Sequence, residues 1–195
     1  LNGDWNEQSP LGKVEWIKLF GVLFGKEKQD NEIFKSIEKT YNETLKLVEK
    51  TKVKPTVFSG SLYEDKWYLP QGESWGAKFI TNANGNYLWA KTKGTGSLSL
   101  SFEKVYSVAK NADIWFMDQY TTLEEIKNAN PHYSQFKAFK TKNIYSFSNK
   151  KGKTGGVIYY ELAPNRPDLV LKDLVKIFHP ELLPNYQLYF FEKLK

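Results

Sequence analysis

Apolar residues recur at three- and four-residue steps near the end of the chain, between positions 165 and 179. The residues of this stripe are Val170, Leu171, Leu174, Ile177 and Phe178. This spacing places them on one face of an amphipathic helix. Asn165 can cap the helix, Pro167 suits its first turn, and Asp168 would face the positive end of the helix dipole. Pro180 disfavours helical backbone at His179, so we expect the helix to stop there.

Two more helices are predicted near the start of the chain. Positions 10–25 carry apolar residues over much of a short helix, and positions 29–50 show one stripe, through Ile33, Ile37, Tyr41 and Val48, among lysines and glutamates. At about 1.5 Å per residue the second helix would span roughly 30 Å, the width of a small domain.

Short apolar runs alternate with helical patterns through the rest of the chain. The predicted strands are 55–58, 87–89, 112–117, 143–147 and 188–192, and the predicted helices are 73–83, 101–110 and 121–127, with a brief element at 136–139. Such alternation is typical of an α/β fold. We therefore expect a three-layer, Rossmann-like domain with a central, mainly parallel sheet flanked by helices.

Composition limits the classes of function. The 195 residues carry a net charge of +6 and no cysteine, so disulfides and thiol chemistry are excluded. No run of about 18 apolar residues is present to span a membrane. The chain starts at Leu1 and its one methionine is Met117, so we expect a processed or truncated piece of a longer protein. The basic residues are almost all lysines, with Arg166 the one arginine, which does not favour nucleic acid as a partner.

Signals for catalysis are weak. One G-x-S-x-G pattern surrounds Ser74, but a Pro-Gln loop precedes it where a nucleophile elbow needs a strand. His132 and His179 have no metal-ligand partner at a useful spacing, so neither a metal nor a cofactor is predicted. We expect a protein that is not an enzyme.

Four segments, in chain order, resemble one family. They are PLGKVEWIK with the long helix after it (10–50), PTVFSGSLYEDKWYLPQGESWG (55–76), SLSFEKVYSVAKNADIWF (99–116) and GGVIYYELAPNRPDLVLKDLVKIFHPELLP (155–184). Together they resemble the two-lobed periplasmic substrate-binding proteins of ABC importers for iron-siderophores, haem and vitamin B12, with the first segment closest to the form seen in Bacteroidetes members. The resemblance implies that residues 1–52 hold the end of a linker and an interlobe helix, and that residues 53–195 form the C-terminal lobe.

The resemblance also implies where a ligand lies, namely between two lobes, against loops at the strand ends. On this chain those loops hold Ser59, Ser61, Tyr63, Trp67, Trp75, Trp89, Trp115 and Tyr120. Aromatic walls suit a flat chelate such as a porphyrin, corrin or catecholate complex, and Trp67 and Trp75 are the tryptophans most expected to touch it because they flank a Pro/Gly loop. With Arg166 as its one arginine, this lobe does not favour citrate-type ligands.

Two glutamates are expected to dock on the permease in the inner membrane. Glu103 falls where the family carries a membrane-facing glutamate that pairs with permease arginines, and Glu161 is a second candidate. A carboxylate in the first turn of a helix is also favourable by about 0.3–1 kcal/mol for reasons of the dipole alone. The resemblance further implies a periplasmic protein held by a lipid anchor outside this chain. The aromatic content of the chain leaves a carbohydrate-binding or glycan-processing domain as the alternative function.

Overall fold

A computed structural model describes residues 3, 7 and 9–195. The start of the predicted 1–52 segment therefore lies partly outside the described residues. The helices are α1 (Pro10–Glu15), α2 (Ile17–Phe24), α3 (Glu27–Val48), α4 (Trp75–Asn82), α5 (Phe102–Ala109), α6 (Leu123–Ala129), α7 (Lys137–Lys140), α8 (Ile158–Leu162) and α9 (Pro167–Phe178). The strands are β1 (Thr56–Ser59), β2 (Ser61–Tyr63), β3 (Lys66–Pro70), β4 (Asn86–Tyr87), β5 (Ser97–Leu100), β6 (Ile114–Met117), β7 (Ile144–Ser146) and β8 (Glu192–Lys193).

The strands form two sheets. The larger has the order β4-β1-β6-β7-β8, in which β4, β1, β6 and β7 are parallel and β8 is antiparallel. All four residues of the central strand β6 are buried, as expected for a parallel strand covered on both faces. The predicted α/β class and mainly parallel sheet are confirmed.

The two faces of the large sheet are covered differently. On one face, Trp115 of β6 stacks on Phe58 of β1 at 4.9 Å between ring centroids and contacts Phe136 at 5.2 Å. On the other face, Phe116 contacts Phe178 of α9 at 6.0 Å. Because neighbouring residues of a strand point to opposite faces, β6 contributes to both halves of the core.

The smaller sheet is a feature that the sequence pattern did not predict. β2 and β3 form an antiparallel hairpin through Glu64 and Asp65, and β5 pairs with the other side of β3. Glu64 adopts a left-handed φ of 55° although it is not glycine. Two-residue hairpin turns usually carry Asn-Gly or Asp-Gly, so this Glu-Asp turn gives little signal, and the sequence pattern predicts no strand between positions 59 and 86.

Helix α9 confirms most of the C-terminal prediction, with Pro167 in its first turn and its end at Phe178. Asn165 does not cap it, because Asn165 lies in a short 3-10 turn and the residue before Pro167 is Arg166. The Arg166 guanidinium instead makes two hydrogen bonds of 2.9 Å with Asp168.

The last predicted strand, 188–192, is displaced to Glu192–Lys193. Buried Asp173 of α9 explains the shift, because its carboxylate accepts the backbone N–H groups of Tyr189, Phe190 and Phe191 at 2.6–3.0 Å. Those donors are thereby withdrawn from any strand ladder.

The N-terminal helices form a separate small core. The predicted helix over 10–25 is two helices, separated by a turn at Trp16. Val14 of α1 packs with Phe34 and Ile37 of α3, whereas Tyr41 and Val48 from the second half of α3 belong to the main core. Within the described residues, no helix is both long and apolar enough to cross a bilayer.

Candidate functional site

A cleft of about 320 Å³ opens at the carboxyl ends of the parallel strands β1, β6 and β7. Its floor is formed by Met117 and Phe116 at the end of β6 and by Phe147 just after β7, and the hairpin β2–β3 forms one wall. In α/β folds ligands bind at this edge of the sheet, so the cleft is the leading candidate site.

Most polar groups of this surface are uncharged. Three serine hydroxyls, two tyrosines and one amide line the cleft: Ser59, Ser61, Ser97, Tyr63, Tyr68 and Gln119. Both tyrosines are exposed, Tyr63 at 62% and Tyr68 at 45%, so their rings are available to a ligand. Exposed aromatic faces combined with uncharged hydrogen-bonding groups suit a large, partly apolar ligand.

The turn that carries Ser59 and Gly60 into the cleft is held by two buried tryptophans. The indole N–H of Trp67 donates to the Ser59 carbonyl at 2.9 Å, and that of Trp115 donates to the Gly60 carbonyl at 2.8 Å. Gly60 has a φ of +81°, and a Cβ atom there would collide with the Tyr68 carbonyl oxygen. Glycine is thus required at the turn both for its backbone conformation and for space.

Two further bonds fix the next residues of the same wall. The Tyr133 hydroxyl accepts the Leu62 backbone N–H at 2.9 Å, and the Ser61 hydroxyl donates to the Gln119 side-chain oxygen at 2.6 Å. Burial raises the pKa of Tyr133 to about 12, although the bond from Leu62 acts in the opposite direction. Hydrogen bonds within the protein therefore fix the backbone of this wall.

Three of the predicted ligand-binding residues, Ser59, Ser61 and Tyr63, line this cleft together. Trp67 and Trp115 lie directly behind it, but each has 0% of its surface exposed. Their rings stack at 5.6 Å between centroids and are covered by protein, so the expectation that these two tryptophans touch a ligand is corrected. Their indole N–H groups position the cleft turn instead.

The remaining predicted aromatic residues do not line the cleft. Trp75 lies at the start of α4 against Phe79, with the Lys13 ammonium 5.2 Å from its ring. Trp89 is buried after β4, beside Tyr87. Tyr120 is half-buried just beyond the cleft residues of β6, and burial raises its pKa.

Asp118 is the charged cleft residue that sequence reasoning missed, alongside the uncharged Tyr68, Ser97 and Gln119. It follows β6 directly and is the one carboxylate among the described residues that line the cleft. Asp118 is solvent-exposed at the cleft mouth, yet the surrounding protein desolvates its carboxyl and raises its pKa. The rule that ligands meet the carboxyl ends of parallel strands would have pointed to this position.

Glu103 and Glu161 both lie exposed on the surface, on α5 and α8. Glu103 stands in the first turn of α5, which Ser101 caps by accepting the Lys104 N–H at 3.3 Å. A hydrogen bond from its own backbone N–H, then one from the Ser101 side chain, lower the pKa of Glu103. Glu103 therefore carries a negative charge at neutral pH.

The G-x-S-x-G serine has a structural role. Ser74 caps α4 by accepting the Ala77 N–H at 3.3 Å, and the strand before it, β3, belongs to the small antiparallel sheet. A nucleophile elbow needs its serine exposed, and Ser74 is buried. Across residues 3, 7 and 9–195, no three His, Asp or Glu side chains gather as a metal site.

The fold, the open cleft and its position define a binding domain of the α/β type. The sequence profile described as "periplasmic binding protein" matches residues 5–150, three quarters of the chain, and the chain belongs to that family. It is a family of binding proteins and not of enzymes.

Individual proteins that resemble this chain are consistent with that family. An uncharacterized lipoprotein of Methanocaldococcus jannaschii is 33% identical over 98% of this chain and 45% of its own length. The TroA-like periplasmic binding protein FepB of Veillonella parvula matches 95% of this chain and 62% of its own with a TM-score of 0.69 at 19% identity. IsdE of S. aureus, solved with heme, matches 88% and 65% with a TM-score of 0.64 at 18% identity. The solved structures support the fold.

The chain is shorter than these proteins. It spans about half the length of the curated relatives and less than two thirds of the solved chains.

Proposed function

We propose that this chain is one lobe of the substrate-binding component of an ABC importer. The whole protein captures an iron chelate, such as a siderophore or haem, or a cobalamin between two lobes. It then delivers the ligand to a membrane permease and performs no bond chemistry. Residues 53–195 form the ligand-binding lobe in this proposal, and residues 1–52 form the connection to the other lobe.

The observation that carries the proposal is the cleft at the carboxyl edge of the sheet. Pockets for small ligands usually enclose most of the ligand surface. This cleft is open to solvent, and hydrogen bonds from two buried tryptophans hold the Ser59–Gly60 turn in its wall. A cleft with a well-fixed wall that is still open to solvent fits one half of a binding site, with the other half supplied by a second lobe.

An apolar face on α2 supports the presence of that second lobe. Five large apolar residues of this helix are exposed, up to 73% for Phe24: Leu19, Phe20, Val22, Leu23 and Phe24. An exposed cluster of this kind usually marks a contact surface. In the proposal the other lobe covers it, and α3, which packs into both the small and the main core, is the rigid connection.

Calorimetric titration tests the proposal. The whole natural protein is titrated with cyanocobalamin, haemin and several ferric siderophores, and the 195-residue chain alone is the control. We expect saturable one-to-one binding of one of these ligands, with much weaker binding by the chain alone. If no chelate binds the whole protein while an oligosaccharide does, the importer function is wrong and the carbohydrate-binding alternative replaces it.

Docking on the permease is proposed to use Glu103, with Glu161 as a second contact. Exposed charges mainly steer and orient association, so Glu103→Gln should slow binding of the loaded protein to permease-containing vesicles at low salt. Glu124 is a matched control, because it is also exposed in the first turn of a helix. Equal slowing by Glu103→Gln and Glu124→Gln would contradict a specific role.

The proposed location is outside the cytoplasmic membrane, with a lipid anchor in a segment other than this chain. Membership of the periplasmic binding protein family and the lipoprotein relative support this location. Metabolic labelling of the natural protein with a radioactive fatty acid would test the anchor. Absence of label in the mature protein would argue against it.

A further inference from the structure

Resting on the proposed function, we infer that the cleft selects a chelate that is neutral or cationic where it meets this lobe, and disfavours anionic chelates. Lobe and ligand would then meet through hydroxyl groups, aromatic faces and one carboxylate, without a cationic clamp.

The charges that line the cleft are the first argument. Among the described residues of its lining, Asp118 is the one acidic residue and none is lysine or arginine. The chain as a whole carries a net charge of +6, so this surface is poor in positive charge compared with the rest of the protein. Protein sites that bind carboxylate-rich or phosphate-rich ligands use arginine or lysine to do so.

The cations nearest to the cleft loops in the sequence either have other partners or lie outside the cleft lining. The Lys150 ammonium donates to the backbone carbonyls of Leu188 and Tyr189. Lys66, on the hairpin, lies 3.7 Å from the Asp65 carboxylate. Lys151 and Lys153 are exposed on the loop after β7 and do not line the cleft.

The one arginine is also committed. Arg166 forms its two-bond pair with Asp168, next to α3 and outside the cleft lining. It therefore supplies no positive charge to a ligand in this cleft.

Asp118 itself is the second argument. Its carboxylate forms no salt bridge with any described residue. Its surroundings combine exposed aromatic rings with partial desolvation. The Tyr160 hydroxyl is close enough for the Asp118 charge to contribute, after burial, to raising the pKa of Tyr160. Aromatic faces and a carboxylate attract a positive group, whereas an anion would meet repulsion that the cleft does not offset.

The test compares ferric siderophores of different charge. The whole natural protein is titrated with cationic ferrioxamine B, neutral ferrichrome and trianionic ferric enterobactin. We expect the cationic or the neutral chelate to bind at least about tenfold more tightly than the anionic one. Tightest binding of the trianion would overturn the charge preference and leave the proposed function intact. If none of these siderophores, haemin or cyanocobalamin binds, the proposed function fails, and this inference fails with it.

Variants at Asp118 connect the preference to the cleft. Asp118→Lys should weaken the cationic chelate and tighten the anionic one, so that their affinity ratio shifts by about tenfold or more. Glu181→Gln, an exposed carboxylate in the turn after α9, is the control and should leave the ratio unchanged. Unfolding curves confirm that both variants are folded. An unchanged ratio in folded Asp118→Lys would overturn the inference.

Discussion

The two ends of strand β6 carry the same residue type in opposite surroundings. Asp113, before the strand, accepts the Thr56 N–H at 2.8 Å and the Thr56 hydroxyl at 2.7 Å, and it pairs with Lys137 at 2.6 Å. Asp118, after the strand, lies at the cleft mouth without a salt bridge among the described residues. The Asp113 carboxylate is thus bonded within the protein, whereas the Asp118 carboxylate has no charged partner among the described residues.

Their pKa values follow this difference. Burial raises the pKa of Asp113, but bonds from Lys137 and Thr56 together outweigh it and hold the pKa below its ordinary 3.8. Burial also raises the pKa of Asp118, and only a bond to its own backbone acts against it. At the amino edge of the sheet, Asp113 is therefore stabilised by the protein's own groups, whereas at the carboxyl edge Asp118 has no charged partner among the described residues.

We expect the largest loss of stability when a side chain is added at Gly60, in the turn at the carboxyl edge of the sheet. Gly60→Ala should lower the free energy of unfolding by about 3 kcal/mol or more, because the new Cβ meets the Tyr68 carbonyl and the positive φ becomes strained. Gly155→Ala is the control, since φ there is +86° but no atom lies within 4 Å. Chemical denaturation measures both, and an equal loss would show that conformation alone, and not crowding, sets the cost.

Removing one brace of the same turn should cost less. Trp115→Phe leaves the Gly60 carbonyl without its indole donor and should destabilise the protein by about 1–3 kcal/mol. Trp75→Phe is matched to it, because the Trp75 indole N–H has no hydrogen-bond partner among the described residues. Thermal unfolding of the pair checks the difference. A Trp75→Phe loss as large as that of Trp115→Phe would refute the bracing role.

At the amino edge of the sheet, Asp113→Asn should destabilise the protein by about 1 kcal/mol at neutral pH, a value reduced because the Lys137 pair is partly exposed. The folded pKa is depressed, so this stability is present above the unfolded value of 3.8 and is lost as pH falls through the folded value. Wild type and variant should therefore converge in acid. A difference that stays constant down to pH 2 would contradict the linkage.

Asp118→Asn should have the smallest effect on stability, with the opposite sign. The folded pKa is raised, so ionisation costs stability as pH rises above the unfolded value of 3.8. At neutral pH the free energy of unfolding of the variant should exceed that of wild type by no more than about 0.5 kcal/mol, and in strong acid the two should be equal. Urea unfolding at several pH values measures this, and a clear loss at neutral pH would mean that Asp118 has a stabilising partner.

The sequence predicted the parts of the fold that depend on local periodicity. Helices α3, α5 and α9 carry the helical spacing of apolar residues, and β6 is a continuous apolar run whose short length favours a strand. The hairpin β2–β3 was missed because its Glu-Asp turn lacks the usual glycine, and the position of β8 was missed because Asp173, distant in sequence, captures the donors.

The candidate site was only partly predictable, for a related reason. Ser59 ends strand β1 and Ser61 and Tyr63 come just after it, so their place at the sheet edge could be read from the order of elements. Whether a tryptophan faces a ligand or the core depends on packing between distant segments. Trp67 and Trp115 are covered by residues 133–136, which no local pattern connects to them.

The buried tryptophans have a consequence for spectroscopy. Trp67 and Trp115 are bonded to the turn that lines the cleft, so they sit close to any bound ligand without touching it. A coloured chelate in the cleft would accept their excitation energy across this thin wall and quench their emission. Fluorescence would thus report occupancy sensitively, but quenching would not identify a contact residue.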